Sequence, residues 1–367
     1  MYVVLHKRFS NYKNIVTCFI AILSLVTLAS CNGNMTSKSS LTKGVYLEFG
    51  SFTASSLPLL EQTNTSLLLA VYPSGSTYSD RIGSAELLNT LKEASNAGVS
   101  VRLWPMLSQV DGVWPDEDNV DAFALEINSL MTWLNANGVK PGWLVFDLEP
   151  PYSLTVSMTT AAKTGNSFSA ISLLLSYMSP ATFQYALARF TDIVKTVHNN
   201  GWKAECVTYP LVLDDRYDTN SAMQVLFHIP VIGIPWNQVS FMVYQSSFKE
   251  LFGQSFGSAI VASYAQDAYK LYGNKAIIAL GVIGTDPISG AQGYTTTAAL
   301  DNDIAAALGE DIGHIEIYSL EEILMQPSPS TWLDTSAIKP EKVHVTADVE
   351  SMRQLMQSFA RNLNANL

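Results

Sequence analysis

The sequence predicts a (β/α)8 barrel. Three observations lead there: eight short apolar runs, amphipathic segments of helical period between them, and no Gly-rich phosphate loop after the first run. The runs are 44–49 (GVYLEF), 66–72 (SLLLAVY), 100–106 (SVRLWPM), 142–148 (GWLVFDL), 203–209 (KAECVTY), 239–245 (VSFMVYQ), 276–283 (AIIALGVI) and 314–319 (HIEIYS). Several are nearly continuous in apolar residues, the pattern of parallel strands covered on both faces. Strands and helices alternating within one domain-sized span suit a closed barrel. The alternative, an open doubly wound sheet, often carries a Gly-rich loop after its first strand.

The intervening segments repeat at helical spacing. Phe123, Ile127, Leu130 and Leu134 share one face, as do Phe183, Leu187, Phe190, Val194 and Val197. Leu87, Leu88, Leu91 and Ala94 line another, and Met352, Leu355, Met356, Phe359 and Leu363 predict a C-terminal amphipathic helix. The pairs Ala97-Gly98, Asn137-Gly138 and Asn200-Gly201 stand where helices should end before the next strand. One connection, 151–179, is too long for an ordinary βα loop. It is either a tolerated surface insertion or a lid or wall over the site.

The N-terminal end reads as a targeting signal over residues 1–30. Lys7, Arg8 and Lys13 precede an apolar stretch from Ile15 to Ala29, and Leu28-Ala29-Ser30 leads into Cys31. A basic start, a short apolar core and small residues before the cut define a secretory signal. The apolar run is shorter than the roughly 20 residues of a membrane span. Leu-Ala-Ser-Cys resembles the lipobox of bacterial lipoproteins. That resemblance implies acylation of Cys31, a membrane partner held through the lipid, a tether over 31–42 and a cell-envelope location. Asn32 after the cysteine favours the outer membrane where the cell has two.

Removing residues 1–30 takes away Lys7, Arg8 and Lys13 and no acid, so the net charge moves from −11 to −14. An acidic domain argues against nucleic acid as a partner. Only Cys206 then remains beside the acylated Cys31, so no internal disulfide is expected. Cys206 lies in an apolar run and reads as a buried, inert thiol. About 335 residues suffice for one barrel domain, 43–367, and a monomer is expected.

Barrel enzymes carry their chemistry at the C-terminal strand ends. The fourth run ends Asp147-Leu148-Glu149, two carboxylates on one face of a strand. Carboxylates this close do not ionise independently, and one held protonated is a general acid. The sixth run offers Tyr244 and Gln245, the first Tyr46 and Glu48, the third Trp104, the fifth Tyr209 and the eighth Glu316 and Tyr318. Aromatic side chains at the mouth suit sugar faces, although each alone is more often packing. The histidines 198, 228, 314 and 344 show no metal-ligand spacing, so no metal site is expected. No Gly-x-Ser-x-Gly elbow supports a serine hydrolase.

With these residues in place, the chain resembles glycoside hydrolase family 18, the chitinase-like barrels. The stretch Gly142-Trp143-Leu144-Val145-Phe146-Asp147-Leu148-Glu149 stands where that family has Asp-x-x-Asp-x-Asp-x-Glu. Met242-Val243-Tyr244-Gln245 stands for Met-x-Tyr-Asp, Leu280-Gly281 for a Leu-Gly in strand seven, and Tyr318-Ser319-Leu320-Glu321 for the turn after strand eight. Gly142, Val145 and Gln245 replace family aspartates. The resemblance implies a retaining, substrate-assisted hydrolysis of N-acetylhexosamine glycans without a cofactor. In it Glu149 is the acid, Asp147 orients the acetamide, Tyr244 bonds its carbonyl and Gln245 adds a hydrogen bond. The substrate-binding set is completed by Tyr318, Trp104, Tyr209, Tyr46 and Glu48.

Three other readings stand beside it. A peptidoglycan hydrolase resembling the family-25 lysozymes would use Glu48 as a strand-one carboxylate. A barrel that binds glycans or partners without catalysis fits the missing aspartates. A barrel that scaffolds an assembly is compatible with the same sequence.

Overall fold

In the computed structural model, residues 41–49, 52–140, 142–163, 167–218, 221–286 and 290–364 are described. Eight parallel strands close into a barrel: β1 Thr42–Leu47, β2 Thr65–Val71, β3 Val101–Pro105, β4 Trp143–Leu148, β5 Lys203–Thr208, β6 Gln238–Met242, β7 Ala276–Gly281 and β8 His314–Tyr318. Each strand pairs with the next, and β8 returns to β1, setting Thr42 against His314 and Val45 against Ile317. The fold is thus the expected (β/α)8 barrel, and every apolar run is a strand. β1 begins at Thr42, so that residue belongs to the barrel and not to the expected 31–42 tether. The signal 1–30, Cys31 and the tether to residue 40 lie outside the described residues. Among the described residues no helix is long and apolar enough to cross a membrane.

The helices form where the period indicates. Ser84 and Ser179 accept hydrogen bonds from the Leu87 and Thr182 amides, capping the helices Ala85–Asn96 and Pro180–Asn199. An N-cap hydroxyl satisfies a backbone donor that the helix leaves unpaired. The helix Val120–Ala136 stops at Asn137, and Gly138 (φ +66°) takes the left-handed backbone that ends it. Phe123, Ile127, Leu130 and Leu134 on this helix are each at most 1% exposed. Truncating one such aromatic, Phe123→Ala, costs about 3–5 kcal/mol in a packed core.

Period two along each strand separates two apolar regions. Outward residues such as Val45, Leu67, Leu69, Leu103, Phe146 and Phe241 pack under the helices. Inward residues, among them Tyr46, Leu68, Trp104, Val145, Val207, Met242 and Ala279, fill the lumen. Both faces are buried, which is why the strands read as nearly unbroken apolar runs.

Below that apolar layer the lumen is polar. Arg102 on β3 pairs with Glu205 on β5 and donates to Gln238 at 2.8 Å. Glu316 on β8 accepts from Tyr46 at 2.5 Å and from Ser240 at 2.7 Å. Glu205 and Glu316 lie close enough that each shifts the other's acidity. Burial pushes the Glu205 carboxyl well up, against the Arg102 charge and with Glu316 adding to the rise. Burial also acts on Glu316, but Glu205, His314, Arg102 and Tyr46 outweigh it and hold Glu316 below the ordinary range.

Three segments differ from the sequence expectation. The 151–179 connection is two helices, Tyr152–Lys163 and Ser167–Tyr177. A 3-10 stretch, Pro210–Asp218, and a short helix, Ala222–Phe227, lie between β5 and β6. Gln245 begins a helix, Gln245–Phe252, three residues beyond the end of β6. The C-terminal helix Ala347–Asn364 is present as expected. It is fastened by buried Arg353, which bonds Asp214 and Asp267 at 2.8 Å each and lies 3.8 Å over the Tyr264 ring.

Candidate active site

Strand period decides which side chains reach the barrel mouth. On β4, Val145, Asp147 and Glu149 alternate with the outward residues Phe146 and Leu148. The same alternation brings up Tyr46 and Glu48 from β1, Trp104 from β3, Val207 and Tyr209 from β5, and Met242 and Tyr244 from β6. Tyr318 arrives from β8. All of these except Val145 line one cavity of about 210 Å3 at the C-terminal end of the barrel. Eight of the nine residues expected at the catalytic and substrate-binding site therefore meet there.

Gln245 does not. Tyr244 lies just past the end of β6 and Gln245 opens the helix Gln245–Phe252, so their side chains leave the strand end in different directions. Tyr244 takes the inward position, and Gln245 turns outward and donates to Asp303 at 2.5 Å. Ser258 and Tyr294 donate to the same carboxylate. The expectation that Gln245 bonds substrate is corrected: it is a packing residue between β6 and the helix Thr297–Gly309. The Tyr244 ring lies against Gly281 of β7, where a Cβ would stand 3.1 Å from its Cε1. Glycine at that position lets the ring lie close to the strand.

The carboxylates are held by tyrosines. Tyr209 donates to Glu149 at 3.0 Å, and Tyr318 donates to Glu48 at 2.5 Å. Tyr46 turns its hydroxyl down to Glu316, leaving its ring, edge-on to Trp104 at 5.4 Å, as wall. Three of the expected sugar-stacking aromatics thus serve first to place acids. Burial raises Glu149 to about 7, with the Asp286 charge adding and the Tyr209 bond opposing. Burial raises Glu48 to about 8, helped by Glu149, Glu321 and Asp286 and opposed by the Tyr318 bond. Asp147 is pushed well above the carboxylate range by burial and by Glu149, Glu48 and Glu316. An acid poised near neutrality beside a second carboxyl is the arrangement general acid catalysis needs.

Two buried polar atoms at the cavity have no hydrogen-bond partner among the described residues: Asp147 Oδ1 and Trp104 Nε1. Their residues are 4% and 3% exposed. Buried polar groups are normally paired, so an unpaired acceptor and donor at one cavity mark a place for a ligand's polar groups.

Sequence reasoning missed part of the wall. Trp114, in the connection after β3, donates to the Pro150 carbonyl at 2.8 Å and so fixes the chain just past Glu149. Thr155 and Met158, from the first helix of the 151–179 insertion, line the cavity, as do Phe227 and Asp286. The insertion therefore supplies a wall. Arg102 and Glu205 carried a usable signal: each is a charged residue two positions before a lumen residue in an apolar run. Two of the histidines have structural partners, His198 with Asn237 and His228 with Glu117. Among the described residues, no three or more His, Cys, Asp or Glu side chains converge as a metal site.

The fold is similar to solved structures. The glycoside hydrolase domain of PgaB (BpsB) from Bordetella bronchiseptica matches with a TM-score of 0.51 at 10% identity, covering 83% of this chain and 100% of that one. The endo-beta-1,4-mannanase from Thermotoga petrophila matches with a TM-score of 0.47 at 10% identity, over 89% of this chain and 77% of that one. A GH26 domain from a Prevotella bryantii endo-beta-mannanase/endo-beta-glucanase gives 0.44 at 10%, over 81% and 89%. The first likeness establishes the shared barrel fold and nothing finer. No protein-family model matches the chain, and no curated protein matches its sequence.

Proposed function

We propose that this protein is a glycoside hydrolase, lipid-anchored in the cell envelope, that cleaves N-acetylhexosamine glycans with retention and with help from the substrate's own acetamide. One observation carries the reading: Glu149, raised to about 7, shares a strand-end cavity with Asp147, whose buried Oδ1 has no partner. The barrel held in common with a glycoside hydrolase domain and the chitinase-like order of Asp147, Glu149 and Tyr244 support it.

In this mechanism Glu149 gives its proton to the glycosidic oxygen as the bond to the anomeric carbon breaks. The acetamide carbonyl oxygen attacks that carbon and forms an oxazolinium ion, an exception to the two-carboxylate scheme. Asp147 accepts the acetamide N–H through Oδ1, and the growing positive charge favours its ionised form. Tyr244 offers its hydroxyl to the acetamide, and Trp104 Nε1 donates to a sugar oxygen. Glu149, now a carboxylate, takes a proton from the water that opens the ring.

Paired aryl glycosides test this. The purified protein should hydrolyse aryl N-acetylhexosaminides far faster than aryl hexosides, and Glu149→Gln should abolish the difference. Equal rates on both would exclude the acetamide as nucleophile. A second reading rests on Glu48, which lines the same cavity from β1: a peptidoglycan hydrolase that uses two protein carboxylates. Release of muropeptides from purified peptidoglycan, lost in Glu48→Gln, would favour it. A barrel that only binds glycan would retain affinity and turn over neither substrate.

A further inference from the structure

The cavity wall beside Glu149 is apolar. Tyr209, which donates to Glu149 at 3.0 Å, lies with its ring 6.2 Å from that of Phe227. Leu211 stands two residues beyond Tyr209, in the 3-10 stretch Pro210–Asp218. Past Glu149 the chain runs into Pro150, whose carbonyl accepts from Trp114 at 2.8 Å. Met158 follows Thr155 by one turn on the helix Tyr152–Lys163. Leu251, 47% exposed on the helix Gln245–Phe252, forms the rim. Phe227, Leu211, Trp114, Met158 and Leu251 all line the cavity.

The donors among these residues are already engaged. The Trp114 indole N–H goes to Pro150, and the Tyr209 hydroxyl proton goes to Glu149. The Thr155 hydroxyl donates to the same Pro150 carbonyl at 3.3 Å. Ser247 and Glu250 also line the cavity, but they sit on the rim helix with Leu251, and Glu250 is exposed. A sugar ring placed against this wall would bury several hydroxyls among side chains whose donors are spent, and polar groups left so are costly. Stacking on Phe227 would cover one face of the ring and leave the hydroxyls at its edge unmet. A hydrocarbon meets no such cost and gains by leaving water.

Glu149 gives its proton to the oxygen that departs, so the departing group lies beside Glu149. Resting on the glycan-hydrolase reading, we propose that this group is apolar: the substrate is an N-acetylhexosaminide of a hydrocarbon-bearing alcohol, its chain seated among Trp114, Met158 and Phe227. The sugar keeps the Asp147 and Tyr244 side. The bond between the anomeric carbon and the alcohol oxygen breaks, and the Glu149 proton completes the alcohol. Water then adds at the anomeric carbon and returns a proton to Glu149. The acetamide attacks from the face opposite the departing oxygen, which selects the β anomer of a glucosaminide.

Methyl, butyl and octyl β-N-acetylglucosaminides, kept below micelle-forming concentrations, test the proposal, because their departing oxygens differ little in acidity. kcat/KM should rise by roughly two- to fourfold for each methylene that the cavity covers. N,N′-diacetylchitobiose, whose departing group is a second sugar, should be a poorer substrate than the octyl glycoside although its departing oxygen is the more acidic. Phe227→Ala should flatten the alkyl series, and Leu251→Asn, at the exposed rim where folding is not at stake, should flatten its octyl end. A flat series in the parent protein, or diacetylchitobiose cleaved faster than the octyl glycoside, overturns the proposal. If aryl N-acetylhexosaminides are cleaved while the series is flat, only this inference falls; if no N-acetylhexosaminide is cleaved, the glycan reading falls with it.

Discussion

Oε2 of Glu149 accepts a 3.0 Å hydrogen bond from the hydroxyl of Tyr209. The bond ties the end of β4 to the end of β5 and bears directly on acidity, because it favours the ionised form of Glu149 against the burial that raises it. Glu149 must be protonated to act as an acid, so activity should fall as pH rises through about 7. Tyr209→Phe removes an influence that lowers the value, and the basic limb of kcat/KM against pH should move upward. A profile that stays in place or moves down would show that another group sets it.

Glu149→Gln should lower turnover by about 10²–10⁴-fold, the usual worth of general acid help. Far-ultraviolet circular dichroism should show the fold intact, since the amide oxygen still accepts from Tyr209. Retention of most activity would place the acid elsewhere in the cavity.

Gln245→Ala should behave as a packing change. Its amide bonds Asp303 behind the barrel wall. Loss of that bond leaves part of a buried acceptor unpaired and costs about 1–3 kcal/mol in chemical denaturation. KM and the pH profile should not change. A selective rise in KM would return Gln245 to the substrate.

Glu48 links acidity to stability. Its folded value, about 8, lies above its ordinary 4.5. The folded state therefore favours the proton, and that stabilisation is present below about 4.5 and lost as pH rises through about 8. Glu48→Gln should raise Tm relative to the parent at pH 9 and not at pH 5. An equal difference at both pH values would contradict the raised value.

Arg353 tests the C-terminal fastening. Arg353→Met keeps length but leaves Asp214 and Asp267 without their buried cation. Breaking one side of such a pair costs about 3–5 kcal/mol. The unfolding midpoint in urea should drop accordingly, and an unchanged midpoint would show that the helix Ala347–Asn364 contributes little.

The proposed anchor has its own test. Cys31→Ser should leave the protein unlabelled by a clickable fatty acid and free of the membrane fraction. Label still incorporated would place the lipid elsewhere.

The sequence by itself determined the barrel and named most residues of the candidate site. Eight apolar runs, all strands, follow from burial of both faces, and that burial acts locally on each residue's type. Asp147 and Glu149 were legible as one face because strand period is two, and their place at a strand end put them at the barrel mouth. The sequence did not show that Gln245 opens a helix; that placement turns it to Asp303 behind the barrel, while Tyr244 lies against Gly281 of the neighbouring strand β7. Only the tertiary structure decided what the tyrosines do, since Tyr46, Tyr209 and Tyr318 reach carboxylates on other strands. It alone joined Arg102, Glu205 and Glu316 into one polar cluster in the lumen and folded the 151–179 connection so that Thr155 and Met158 wall the cavity. Local pattern records which face a residue occupies. Partners 60 to 270 positions apart are brought together by barrel closure, and no local period encodes them.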